Sequence, residues 1–179
     1  DKLLGSEFQI SPVSFYQVNP IQTEVLYTKA IEAAGLTGKE TVIDAYSGIG
    51  TISLTMARHA KQVYGVEVVE SAVHDAEANA ARNHIKNVTF EVGKAEDVMQ
   101  KWKDADLPVD VLMVDPPRKG LDKTFIDAVG YMKPPKMVYI SCNPATLARD
   151  LQLLAAFGYT AKETQPVDMF PQTQHIESI

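Results

Sequence analysis

Three features of the 179-residue sequence predict an α/β fold with a mostly parallel central sheet flanked by helices. Short runs of β-branched residues alternate with segments of helical periodicity, which is typical of βαβ units. Glycine turns and capping residues mark the ends of several helices. The composition, 45% hydrophobic and 22% charged, is that of a globular domain with a full core.

The predicted strands are residues 41–46, 62–68, 88–92, 109–115 and 136–142. Helical patterns lie near residues 51–60, 71–84, 95–102, 123–132 and 145–157. Asn19 and Asn143 each place a capping side chain before a proline at the first helical position. We expect Gly35 to close the first helix and Gly158 the last.

The domain organisation predicted is a single catalytic domain of residues 20–179, with residues 1–19 packed on it as a strand or lid. The sequence starts without an initiator methionine, and its last residues resemble an interrupted β-strand. We therefore expect an excised domain.

Charge and cysteine content exclude several classes of protein. A net charge of −6 disfavours a free-standing, non-specific nucleic-acid binder, but it allows an enzyme that gains RNA affinity from a neighbouring domain. Cys142 is the only cysteine, which excludes an internal disulfide and a cysteine-only metal site. No stretch of about 18 apolar residues and no leader pattern is present. We expect a cytoplasmic monomer with no metal and no membrane partner.

A glycine turn follows the first predicted strand, at Asp44 to Gly50, and Glu67 ends the next strand about 20 residues on. This pair of features fits either a dinucleotide or S-adenosylmethionine, because both ligands carry a ribose and a carboxylate can accept hydrogen bonds from its hydroxyls. Ser53 replaces the third glycine of the dinucleotide pattern, and Asp44 suits a ligand with a cationic amino group. Both details favour S-adenosylmethionine.

Two further motifs stand at predicted strand ends. Asp115 precedes two prolines that stiffen the turn and hold its carboxylate at the rim of the cleft. Cys142 directly precedes a helix N-terminus, where unpaired N–H groups favour an anion and are expected to lower the pKa of the thiol. Each motif also has a purely structural interpretation. Asp115 would then cap a proline-rich turn, and Cys142 would be a small buried apolar residue.

Taken in order, the motifs resemble those of the RNA uracil-5-methyltransferase family, most closely its 23S ribosomal RNA members. They are Ser14-Phe15-Tyr16-Gln17-Val18-Asn19, the loop from Asp44 to Gly50, Asp115-Pro116-Pro117-Arg118, Ser141-Cys142-Asn143-Pro144 and His175-Ile176-Glu177. The resemblance covers nearly the whole chain. It implies the Rossmann-like class I fold of S-adenosylmethionine-dependent methyltransferases, with RNA as the substrate. It also implies RNA-binding domains N-terminal to residues 1–179 in the intact protein.

The resemblance also implies the role of each matching residue. Cys142 corresponds to the nucleophile that attacks C6 of uracil, and Glu177 to the base that removes the C5 proton. Gln17, Tyr46, Gly48, Glu67 and Asp115 correspond to cofactor-binding positions. Lys94 and Ala95 are expected to border the adenine, whereas Thr51 and His175 receive no role.

Other functions stay open on the sequence alone. A transfer-RNA uracil methyltransferase would use the same motifs. An adenine or guanine amino-methyltransferase usually carries an aromatic residue where Arg118 stands, and it needs no cysteine. A nicotinamide-dependent oxidoreductase and a non-catalytic binding module are the remaining alternatives.

Overall fold

The computed structural model describes residues 1–10 and 16–179, and its centre is a five-stranded parallel sheet in the order β5-β4-β3-β6-β7. The strands are β3 (Thr41–Asp44), β4 (Gln62–Glu67), β5 (Val88–Val92), β6 (Val111–Val114) and β7 (Lys136–Tyr139). The predicted parallel α/β fold is confirmed. The order reverses beside β3, so a cleft opens there between the loops that follow β3 and β6.

The helices are α1 (Pro20–Ala34), α2 (Thr51–Ala57), α3 (Glu70–Arg82), α4 (Ala95–Asp104), α5 (Lys123–Met132) and α6 (Pro144–Ala155). Asn19 and Asn143 cap α1 and α6 through their side chains, as predicted. Gly35 ends α1 in the left-handed conformation. The last helix ends earlier than predicted, at Ala155, and Gly158 lies in the turn beyond it.

Two apolar layers cover the two faces of the sheet. Neighbouring strand residues alternate between them: Val42 packs with α1 and α2, whereas Ile43 packs with α4, α5 and α6. Trp102 of α4 packs against Tyr64 of β4, with ring centroids 5.5 Å apart, as expected for a residue that holds a helix on the sheet. The result is a three-layer sandwich that exposes the carboxyl ends of the strands.

Short strands flank the sheet at both ends of the chain. β1 (Lys2–Leu3) and β2 (Ser6–Glu7) form a hairpin whose Leu3 is buried in the core. β8 (Pro166–Val167) and β9 (Glu177–Ser178) form another, and Ser178 pairs with Ser141 just beyond β7. The second hairpin therefore reaches the carboxyl edge of the main sheet. Whether residues 1–19 act as a lid stays a prediction, because residues 11–15 lie outside the described part.

Within the described ranges, no helix is long and apolar enough to cross a membrane.

Candidate active site

The loop between β3 and α2 forms one wall of a cavity of about 910 Å³. Gly48 and Gly50 have φ angles of +52° and +85°, a region that favours glycine. A Cβ on Gly50 would lie 3.0 Å from the Phe90 ring and 3.2 Å from the Ala76 Cβ, whereas the space beside Gly48 is open. The absence of a side chain at Gly50 thus allows Phe90 and Ala76 to pack closely against the loop. The absence of one at Gly48 leaves the backbone accessible from the cavity.

Glu67, the last residue of β4, ties this loop in place. Its carboxylate accepts hydrogen bonds from the Gly48 N–H at 3.1 Å and the Val69 N–H at 2.9 Å. The carboxylate also lines the cavity. Because only backbone groups hold it, it can still accept hydrogen bonds from a ligand.

Asp44 lies beneath the cavity rather than on its wall. Its side chain is fully buried, and one carboxylate oxygen accepts a hydrogen bond from the Ser53 hydroxyl at 2.6 Å. Burial raises the pKa of Asp44 to about 6. Ser53, which broke the dinucleotide glycine pattern, therefore has a structural role that the sequence did not reveal.

The opposite end of the cavity holds Asp115, Cys142 and Glu177. Asp115 follows β6, and Cys142 follows β7 and directly precedes Asn143, the N-cap of α6. The backbone of Ser178 exchanges two hydrogen bonds of 2.8 Å with Ser141, which sets Glu177 beside this strand end. Three residues that are 27 and 35 positions apart in the sequence thus meet at one edge of the sheet.

The electrostatics at this end differ from the sequence-based prediction. Burial raises the pKa of Cys142, and the carboxyl groups of Glu177 and Asp115 raise it further, while the Arg118 guanidinium opposes them. The prediction of a lowered thiol pKa is therefore wrong, because desolvation, together with the two acidic neighbours, favours the neutral thiol. Burial also raises the pKa of Glu177, and burial together with the charges of Glu177 and Asp44 raises that of Asp115 to about 8.

All seven predicted site residues line this one cavity: Gln17, Tyr46, Gly48, Glu67, Asp115, Cys142 and Glu177. Lys94 and Ala95 also line it, as expected. In the first motif, Ser14 and Phe15 fall outside the described residues. The next residue, Tyr16, lines the cavity with a buried hydroxyl that has no hydrogen-bond partner in the described part of the chain.

Sequence reasoning missed several lining residues. His175 contacts Arg118, with 2.8 Å between Nδ1 and the guanidinium Nη2, and its ring meets Phe170 edge to face at 6.4 Å. Its place in the His175-Ile176-Glu177 motif, two residues before Glu177, was the available signal. The Thr51 hydroxyl lies 3.2 Å from that of Tyr27, and both residues line the cavity.

Fold and cavity together define the class: the chain has the Rossmann-like fold of S-adenosylmethionine-dependent methyltransferases. A tRNA m1G37 methyltransferase from M. jannaschii shares that fold, with a TM-score of 0.71 at 12% identity over 99% of this chain and 54% of its own. Likeness at this identity concerns the fold alone.

The family model described as tRNA (uracil-5-)-methyltransferase matches residues 6–179, and the chain belongs to this family. The tRNA (uracil-54, C5)-methyltransferase of Pyrococcus abyssi, solved with S-adenosyl-L-homocysteine, is 32% identical with a TM-score of 0.86 over 99% of this chain and 42% of its own.

Curated relatives lie closer in sequence. An RNA methyltransferase of Lactiplantibacillus plantarum is 62% identical over 180 residues, and one of Listeria monocytogenes 60% over 179, each covering all of this chain. The chain spans about two fifths of the length of these relatives, 39% and 40%.

Proposed function

We propose that this chain is the catalytic domain of an enzyme that methylates C5 of uridine in RNA, using S-adenosylmethionine and a covalent bond between Cys142 and uracil C6. One observation carries the proposal: the cavity joins a glycine loop and its strand-end carboxylate to a cysteine flanked by carboxyl groups. At about 910 Å³, it has the size of sites that enclose a large ligand.

The residues of one end fit the cofactor. Gly48 leaves backbone accessible, Glu67 can accept hydrogen bonds from ribose hydroxyls, and the buried Tyr16 hydroxyl lacks a partner among the described residues. We assign Gln17, Tyr46 and Asp115 to the same ligand. When bound, the cofactor supplies a methyl group on a sulfonium, which is a strong electrophile.

The other end carries the chemistry of the base. Cys142 reacts as the thiolate, its proton having passed to solvent. Its sulfur bonds to C6, the displaced electron pair reaches C5, and C5 takes the methyl group as the bond from that methyl to the cofactor's sulfur breaks. Glu177 then removes the C5 proton as the sulfur–C6 bond breaks, which regenerates the thiolate. A target base must leave its stack to reach both residues.

The raised pKa values suit these roles. A carboxylate whose pKa lies above its ordinary value is a stronger base for the C5 proton. With a pKa of about 8, Asp115 is mostly protonated at neutral pH and can donate a hydrogen bond. Arg118 keeps a positive charge near the electron-rich base.

Substitution of the nucleophile tests the proposal directly. We expect Cys142→Ala in the intact enzyme to abolish 5-methyluridine formation and any covalent RNA adduct, measured by nucleoside mass spectrometry and denaturing gels. Retained binding of S-adenosylhomocysteine is the control for folding. Undiminished turnover would exclude Cys142 as the nucleophile.

For Glu177→Gln we expect methyl transfer to proceed and release to stall, because nothing removes the C5 proton. A covalent protein–RNA band carrying the methyl label should accumulate. Normal turnover without that band would remove Glu177 from the role of base.

For the substrate we propose 23S ribosomal RNA, supported by the Phe15-Tyr16-Gln17-Val18-Asn19 form of the first motif. The likeness to the Pyrococcus enzyme favours transfer RNA as the alternative. Mapping 5-methyluridine in both RNAs from cells with and without the intact gene separates the two: the modification should disappear from 23S RNA and persist in transfer RNA.

A further inference from the structure

The loop of residues 115–121 connects two parts of the site, since it begins at Asp115 and carries Arg118. Three side chains of α6 bind its backbone. The Thr146 hydroxyl lies 3.2 Å from the Arg118 carbonyl, and Arg149 Nη2 donates to the carbonyls of Lys119 at 2.8 Å and Leu121 at 3.1 Å.

The third side chain, Asp150, is fully buried and accepts four hydrogen bonds. Its Oδ2 receives the Leu121 N–H and the Tyr139 hydroxyl, both at 2.7 Å. Its Oδ1 receives Arg149 Nε at 2.8 Å and Nη2 at 2.6 Å. A carboxylate this buried is stabilised only when its partners are complete, so these bonds hold the loop firmly.

Gly120 shows how closely the loop and the helix approach. Its φ of +76° favours glycine, and a Cβ there would collide with Asp150 Oδ2 and lie 2.8 Å from Arg149 Nη2. Leu147 and Leu154 of α6 pack in the apolar core, and the polar network joins the helix to the loop and, through Tyr139, to β7.

We propose that Thr146, Arg149 and Asp150 are positioning residues for the reaction: they fix the loop of residues 115–121 on α6 and so hold the Arg118 guanidinium over the pocket that Cys142 lines. Because α6 begins just after Cys142, one helix sets the positions of both groups. This inference rests on the proposed role of Cys142 as nucleophile.

A measurable consequence follows for the thiol. Glu177 and Asp115 oppose ionisation of Cys142, and Arg118, which also contacts His175, is the charge that favours it. If the loop loosens, the mean distance from Arg118 to Cys142 grows and the thiolate fraction falls. The reactivity of Cys142 therefore reports the position of Arg118.

The test is a double-mutant cycle on iodoacetamide alkylation, followed by mass spectrometry of the Cys142 peptide between pH 6.5 and 10. Arg149→Lys keeps the positive charge but loses the paired hydrogen bonds that the guanidinium makes to Asp150. We expect it to slow alkylation at pH 8 about threefold and to move the midpoint of the profile to higher pH. Arg118→Gln should do the same, and the double variant should be no slower than Arg118→Gln alone.

The matched control is Arg82→Lys, an exposed arginine on α3 bound to Gln9, which should leave the profile unchanged. Thr146→Val removes one bond to the loop and serves as a milder second variant if Arg149→Lys does not fold. An unchanged profile in a folded variant, or additive effects in the cycle, would overturn the inference. Cys142→Ala tests the proposed function separately, because alkylation does not depend on methyl transfer.

Discussion

Cys142 lies two residues before α6, yet burial, together with the carboxyl groups of Glu177 and Asp115, raises the pKa of its thiol. The attraction of a helix N-terminus is about 0.3–1 kcal/mol for an exposed charge. Desolvation and two like-signed neighbours act at shorter range in a partly closed cavity. The surroundings of Cys142 therefore favour the protonated thiol more than water does.

The first prediction concerns this balance. Glu177→Gln removes one of the charges that raise the pKa of Cys142, so alkylation of Cys142 at pH 7.5 should become about two- to fivefold faster even though product release stalls. Glu163→Gln, an exposed carboxylate elsewhere, is the control. A slower or equal rate would show that Glu177 does not act on the thiol.

Asp115 gives a second prediction, on the pH dependence of stability. Its pKa of about 8 in the folded state lies above its unfolded value, so the folded state binds the extra proton and stability falls as pH rises from about 4 to 8. Asp115→Asn lacks this dependence. We compare the free energy of unfolding of Asp115→Asn with that of the wild type. Allowing for solvent in the cavity, we expect this difference to shift in favour of the variant by about 2 kcal/mol between pH 5 and pH 8.

The measurement is urea unfolding of both proteins at the two pH values. Asp106→Asn, at an exposed turn, is the control for a change of charge alone. A constant difference between wild type and Asp115→Asn would contradict the raised pKa.

At the scale of elements, the turn from β3 to α2 depends on Gly50. Gly50→Ala forces alanine to a φ of +85° and crowds Phe90 and Ala76. We expect a loss of about 2 kcal/mol in unfolding free energy, with weaker binding of S-adenosylhomocysteine by calorimetry.

Gly38→Ala is the matched control, because Gly38 has a similar φ of +90° but open space around it. It should lose about 1 kcal/mol and bind S-adenosylhomocysteine normally. Equal losses in both variants would show that the contact with Phe90 does not matter.

Two of the observed strands, β3 and β7, end two or three residues earlier than predicted, at the edge of the sheet where the cavity lies. β3 stops at Asp44 rather than at residue 46, and β7 at Tyr139 rather than at residue 142. β-branched and apolar residues predict extended chain, but they carry no information on where a neighbouring strand stops pairing. The loops that hold Tyr46 and Cys142 begin at those points.

At the scale of the whole molecule, we expect the β8–β9 hairpin to be needed for methyl transfer but not for binding of the cofactor. Ser178→Pro removes the N–H that donates to Ser141 and should displace Glu177. We expect methyl transfer to be lost while S-adenosylhomocysteine still binds within about threefold, because the glycine loop and Glu67 belong to other strands. Ser178→Ala keeps the N–H and is the control. Loss of S-adenosylhomocysteine binding as well as methyl transfer in Ser178→Pro would contradict this prediction.

The sequence by itself predicted the parallel sheet, its helices and residues that line one cavity. Periodicity identifies each strand and helix, and the Asn-Pro and glycine signals are local, so no tertiary contact is needed to interpret them. Glu67, Asp115 and Cys142 could be named because they stand at the ends of predicted strands, and parallel strands present their carboxyl ends at one edge. Gln17 and Glu177 were named only through the resemblance of their motifs to those of the family.

Only the tertiary structure decided which charges surround Cys142 and what holds Arg118. Ser178 and Ser141 pair across 37 positions of sequence, and the bonds from α6 to the loop of residues 115–121 join side chains to carbonyls about 30 positions away. A pKa depends on the distance and burial of such neighbours, and a local pattern contains neither. For that reason the sequence predicted Cys142 as a site residue but gave the wrong direction for the pKa of its thiol.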